Sequence, residues 1–300
     1  MFNLKIKKMR HNNFFLSTIL FCLPFFATAQ SPVSGFMTPK GKGVVAVSYT
    51  SEKYSTVLLH PAVSDAVPVF NEVQVTSASL FGTYGISDKF NVVVGLPYIT
   101  AKGNATEGTL KALGYQNERK GVQDGSLFLK YNPYTLEIGE DKINFIVAAG
   151  VKSPLGSYKV DEGLQSILAI GNRATNITGL AIAQFRSKSG FFASTQAGYS
   201  VRTGDVPNAV IGEIKAGYGA SRFYVDAWYA GQISKGGVNI LGEGFKGVFP
   251  ATDVTYNRFG VNIFVPIAGG FGVSGAFTQY LNGRNVGKST GFSGALIYSF

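Results

Sequence analysis

From about residue 43 to Phe300, apolar side chains recur at every second position over short stretches, separated by polar or Gly-rich connections. Successive side chains of an extended strand point to opposite faces, so this period gives each stretch one apolar face and one polar or small face. Phe90, Val92, Val94, Leu96 and Tyr98 make one such row, opposed by Asn91, Val93, Gly95 and Pro97. Ile143, Phe145, Val147, Ala149 and Val151 make another, against Asn144, Ile146, Ala148, Gly150 and Lys152. The same alternation runs through Phe191 to Arg202 and Phe223 to Ile233, and helical periodicity appears over no comparable length. Twelve segments follow the rule, near 43–59, 72–86, 89–100, 122–132, 142–153, 166–186, 190–203, 208–221, 222–235, 252–266, 271–282 and 289–300.

The connections between these segments alternate in length. Long or polar ones lie around His60 to Asn71, at 101–121, 154–165 and 236–251, and at Asn282 to Lys288. Tight ones fall at Ser87 to Lys89, Ser187 to Gly190, Gly219 to Ser221 and Pro266 to Gly270. Outer-membrane barrels have short periplasmic turns and longer outer loops, and an even strand number. The stretch 133–141 and the brief outer loop at 204–208 fit this alternation less well.

The N-terminus has a different character. Lys5, Lys7, Lys8 and Arg10 precede the apolar run Phe14 to Phe26, and Ala27-Thr28-Ala29 follows. A basic region, a short apolar core and an A-x-A site make a secretory signal, shorter than the roughly 20 residues of a spanning helix. We place cleavage after Ala29, so that 1–29 is a signal peptide and 30–300 one domain. Removing these four cations and no anion takes the formal net charge from +10 to +6, with no basic cluster of the kind that binds nucleic acid. Cys22, the only cysteine, leaves with the signal. No apolar run beyond Ala29 is long enough to cross a membrane as a helix. The expected fold is therefore all-β, a transmembrane antiparallel up-and-down β-barrel of about twelve strands. Its expected partners are outer-membrane lipid and, through the aromatic terminal residue Phe300, the barrel assembly machinery. The localisation that follows is the outer membrane of a Gram-negative-type bacterium.

Three stretches carry a resemblance. They are the hairpin Phe81 to Tyr98 with Gly95-Leu96-Pro97-Tyr98, the run Gly121 to Tyr131, and Phe145 to Tyr158 with Gly150-Val151-Lys152-Ser153-Pro154-Leu155-Gly156. Together they resemble the outer-membrane family labelled after the MetA pathway of phenol degradation, related to the long-chain fatty acid transporter barrels. The resemblance implies passage of small hydrophobic or aromatic compounds. Only the thirteen residues Gln30 to Lys42 precede the first segment, too few for the N-terminal plug of the fatty acid transporters.

If the apolar rows face lipid, the opposite rows present Asp124, Ser126, Lys130, Lys152, Gln184, Gln196, Arg202, Glu213, Lys215, Asp226, Arg258 and Asn262 to the lumen. These are mixed in sign. They either guide a solute or pair with one another to fill the barrel, and Glu213 with Lys215 and Asp226 with Arg258 are the natural pairs. Tyr84, Phe90, Tyr98, Tyr131, Tyr199, Tyr218, Phe223 and Tyr298, near segment ends, are expected to form interfacial girdles. Nothing points to an enzyme, a cofactor or a metal. His60 is a lone histidine in an outer loop, the loop acids Glu107, Glu118, Asp161 and Glu162 lack ligand spacing, and Gly236-Gly237 and Gly242-Glu243-Gly244 are not phosphate loops. Three functions remain open: a passive channel for small hydrophobic or aromatic solutes, a non-conducting barrel that anchors an envelope partner, and a secreted ligand-binding sandwich.

Overall fold

A computed structural model describes residues 32–300, so the expected signal peptide lies outside the described residues. Among the described residues twelve strands pair antiparallel in chain order. They are β1 (Gly43–Tyr54), β2 (Val73–Ser87), β3 (Phe90–Gly103), β4 (Asp124–Ile138), β5 (Asp141–Pro154) and β6 (Asn176–Arg186). Then come β7 (Phe191–Arg202), β8 (Ala209–Gly219), β9 (Tyr224–Ser234), β10 (Thr255–Pro266), β11 (Phe271–Arg284) and β12 (Thr290–Ser299). β1 pairs with β2 on one side and with β12 on the other, from Val44 opposite Ser299 to Lys53 opposite Thr290. The sheet thus closes with no unpaired edge, which is what lets strands lie in hydrocarbon. The chain is a transmembrane β-barrel of the outer-membrane type.

The two rows of each strand separate as the alternation requires. Val47, Tyr49, Leu80, Val94, Leu129, Phe145, Ile214 and Phe292 are exposed on the outside, whereas Asn91, Lys130, Ile146 and Gln184 are fully buried on the inside. Aromatic pairs line the rim at the short turns: Phe90 stacks on Tyr131 with centroids 4.5 Å apart, Phe191 meets Tyr218 at 4.9 Å, and Phe271 meets Tyr298 at 4.8 Å. At this depth an amphipathic ring faces both lipid and water.

Two segments depart from the sequence reading. The stretch 166–175 is not strand: Gly163–Leu168 is a short 3-10 helix and β6 begins only at Asn176. Its apolar residues Leu168 and Ile170 are buried with Val67, Phe70, Val73, Ile99 and Tyr158, in a cluster that the outer loops form over β2 and β3. The stretch 133–141 is mostly strand, since β4 continues to Ile138 past a bulge beside Pro133, and the chain turns at Gly139, with φ +62°, and Glu140. The connection is therefore a tight turn and belongs with the other short ones.

β4 is also interrupted at its upper end. Glu118–Val122 continues it, pairing with β3 from Tyr98 opposite Val122 to Lys102 opposite Glu118. Below the break, pairing resumes at Gly95 opposite Ser126, with the register shifted by one residue. The cause is Pro97. Its carbonyl accepts from the Gln123 N–H at 3.0 Å, so the side on which a residue would also donate faces β4, and proline has no N–H to give there.

Candidate functional site

Contrary to the expectation from its length, the stretch before β1 occupies the lumen. Val33, Ser34, Met37 and Thr38 are buried. Val33 and Met37 pack on the inward residues Val93, Phe128, Ile146, Ala148, Leu180 and Ile182. The Phe36 ring lies edge-on to Phe192 at 5.0 Å and to Tyr224 at 6.3 Å, and the Arg186 guanidinium sits 5.7 Å above it. Its backbone is held by polar wall residues: Asn91 accepts from the Thr38 N–H and donates to the Thr38 carbonyl, and Lys130 donates to the Phe36 carbonyl. Fully buried polar groups are tolerated when bonded in this way. The half of the lumen nearest the short turns is therefore filled.

Above this plug, in the upper half of the barrel, is a cavity of about 310 Å³, the upper cavity. Of the twelve candidate residues, Asp124, Ser126, Lys152, Gln196, Arg202, Lys215 and Arg258 line it. The other five face inward elsewhere, Gln184 among them fully buried. Lys130 holds the plug, Asp226 accepts from Asn262 Nδ2 at 2.6 Å and from Tyr224 Oη at 2.7 Å, and Glu213 accepts from Gln196 Nε2 at 2.9 Å. The expected pair Glu213–Lys215 forms at 3.5 Å. The expected pair Asp226–Arg258 does not, because the register sets Asp226 opposite Asn262 and Arg258 opposite Ala230, four residues further along the strands. Arg258 instead lies over the rings of Tyr256, Tyr280 and Trp228 at 5.2, 5.4 and 5.8 Å.

A second cavity, of about 280 Å³, lies toward the outer loops and is lined by Val160, Ser166, Ile170, Asn172, Phe249 and Pro250. It shares Asp124, Lys152 and Asn176 with the first, so these three residues form the neck between the two. Lys152 Nζ stands 3.9 Å from Asp124 Oδ2, and the loop residue Tyr158 donates its hydroxyl to Asp124. Burial, with the Asp124 carboxyl beside it, pushes the Tyr158 phenol well above its usual range. The phenol therefore keeps its proton and stays a donor. The first cavity also reaches the wall at Gly95, Leu96 and Pro97, where the β3–β4 ladder is broken, and is bounded there by Leu80 and Leu96 of the outward row.

The plug was missed by reading the sequence because Val33, Phe36 and Met37 lie in a short stretch with Gly and Pro and no period. The signal available was on the wall: Asn91, Lys130 and Gln184 lie on the inward rows at the lower end, where a narrow barrel needs something polar to meet them. His60 lies exposed in the first outer loop, away from both cavities.

No protein-family model and no curated protein sequence matches the chain. Its fold is similar to the COG4313 outer membrane channel from Pseudomonas putida F1, with a TM-score of 0.69 over 90% of this chain and 100% of that one at 12% identity. Looser likenesses are the translocator domain of the autotransporter NalP from Neisseria meningitidis, with a TM-score of 0.44, 11% identity and coverage of 88% and 89%. The Ralstonia pickettii toluene transporter TbuX has a TM-score of 0.39, 8% identity and coverage of 87% and 90%. At 12% identity, the likeness to the COG4313 channel shows a shared barrel architecture.

Proposed function

We propose that the protein is an outer-membrane channel through which small hydrophobic or aromatic molecules diffuse passively, after residues 1–29 have been removed. The observation that carries this reading is the pair of cavities joined at Asp124, Lys152 and Asn176. They make a route from the outer loops into the barrel. The plug closes the way straight down, and the break beside Pro97 leaves a way sideways toward Leu80 and Leu96. An apolar solute gains by leaving water for such a wall and for the lipid beyond it. The sequence resemblance to the phenol-degradation family supports the solute class, and the COG4313 channel has the same architecture.

The test is single-channel conductance and liposome swelling with the reconstituted barrel. Passage of ions and small solutes is expected, and impermeability to every small solute after verified insertion would contradict the reading. A second reading, a non-conducting barrel that anchors an envelope partner, is favoured by one observation, the filled lower half of the lumen. Impermeability together with retention of a partner on pull-down would support it.

A further inference from the structure

The charged residues of the lumen are not distributed evenly between its two halves. The acids Glu213 and Asp226 are absent from the wall of the upper cavity, and that wall carries Lys152, Arg202, Lys215 and Arg258 against the single carboxylate of Asp124. Lys152 is matched by Asp124 and Lys215 by Glu213. Arg202 and Arg258 are different. Arg202 donates to the Gln232 amide oxygen at 2.6 Å and to the Pro207 carbonyl at 3.4 Å, and Arg258 to the Tyr280 hydroxyl at 3.2 Å, all neutral acceptors. Neither is in a salt bridge with a described residue. The acids whose field reaches Arg258 are Glu52 and Glu213. Glu52 accepts from Ser289 at 3.3 Å, and Glu213 is held by Gln196 and Lys215.

The Nε of Arg202, the Nε of Arg258 and the indole Nε1 of Trp228 are all buried without a hydrogen-bond partner. Neither guanidinium has a carboxylate at ion-pair distance: Arg202 has only neutral acceptors and Arg258 feels Glu52 and Glu213 from further off, so an anion between them would offset the cost of burying these charges. Of the three rings around Arg258, Tyr256 lines the cavity and offers a flat face against which a planar apolar body packs, while Tyr280 and Trp228 flank the guanidinium.

We infer that the upper cavity is a binding site for an anionic aromatic solute, a small aromatic carboxylate, whose charge is taken by Arg202 and Arg258 and whose ring lies against Tyr256. This rests on the channel reading and narrows its solute class. The guanidinium groups give the site its preference over neutral molecules of the same size, and the plug beneath retains the solute at this level.

Trp228 is the only tryptophan of the chain and lies 5.8 Å from the Arg258 guanidinium, so its fluorescence reports on the surroundings of Arg258. The folded barrel is titrated with benzoate and with benzyl alcohol, and its reversal potential is read across a bilayer in a KCl gradient. A charge-assisted hydrogen bond is worth about 1.5–3 kcal/mol, so benzoate is expected to bind at least about tenfold more tightly, with the ion current carried mainly by chloride. In Arg202→Gln/Arg258→Gln both preferences are expected to vanish. Arg258→Lys, which keeps the charge, is expected to retain the sign of each and shows whether a silent double variant has simply misfolded. A barrel that conducts but treats benzoate and benzyl alcohol alike would overturn this inference and leave the channel reading standing. One that neither conducts nor binds either probe would overturn both.

Discussion

Asn91 and Thr38 form a two-pronged clamp: the Asn91 Oδ1 accepts from the Thr38 N–H at 2.7 Å, and the Asn91 Nδ2 donates to the Thr38 carbonyl at 2.7 Å. The partners are 53 residues apart, and Asn91 is fully buried. One amide side chain thus stands in for the strand neighbour that the backbone of the plug lacks. Replacing Asn91 by Ala leaves two backbone groups unbonded, a loss of about 1–3 kcal/mol for each buried group. The plug is expected to loosen, with higher single-channel conductance and a barrel that still shows its heat-modifiable mobility on gels. Unchanged conductance in Asn91→Ala would mean that the plug does not restrict the lumen.

Gly85 permits the plug to cross β2. A Cβ on Gly85 would lie 2.0 Å from the Pro39 carbonyl oxygen and 2.5 Å from that of Thr38, both backbone atoms with little room to move. Gly85→Ala is therefore expected to push the segment off the wall and to raise conductance in the same direction as Asn91→Ala. The two changes act on one element, so their combination is expected to add less than the sum of the single effects.

Pro97→Val restores an N–H on the side facing β4 and is expected to tighten the broken ladder by about one hydrogen bond, roughly 1 kcal/mol. Ionic conductance is expected to stay near the wild-type value, because the polar neck is untouched. Transfer of apolar solutes is expected to slow in vesicles with an outer leaflet of lipopolysaccharide, which such solutes cross slowly unaided. Equal transfer by Pro97→Val and wild type would argue against a sideways exit.

Tyr158 ties the third long outer loop to the neck, donating to Asp124 and accepting from the Arg173 N–H at 3.1 Å. Tyr158→Phe keeps the ring in its apolar cluster and removes both bonds. Faster proteolysis within 155–175 is expected, with barrel stability altered by no more than about 1–3 kcal/mol. Cleavage at the wild-type rate would show that the loop is held by its apolar contacts with Leu168 and Ile170 alone.

What the sequence made legible follows from what constrained it. Each strand of a one-layer barrel meets lipid on one face and lumen on the other, so rows such as Phe90 to Tyr98 carry their facing in every residue. Loops have no such rule. Ile167, Leu168 and Ile170 satisfy their apolarity in a cluster of loops, which a period-two reading takes for the start of β6. Cross-strand partners were legible only within a strand: Glu213 and Lys215 share a face by spacing, whereas the partner of Asp226 depends on the stagger between β9 and β10. Pro97 was visible as a member of its row, but its effect depends on which side of β3 its missing donor faces, and only the three-dimensional pairing fixes that.

Passage of a solute through the barrel depends on the upper cavity. Ser126 lines it beside the broken ladder, with its Oγ 3.4 Å from the Gly95 carbonyl, and Ser126→Trp would fill it with an indole. The most direct measurement is the uptake of a small aromatic solute into lipopolysaccharide-faced vesicles by the wild-type barrel and by Ser126→Trp at equal, verified insertion. Uptake by the wild type that falls to the level of empty vesicles in Ser126→Trp is the expected result. Equal uptake by the two barrels, or none by either, would contradict it.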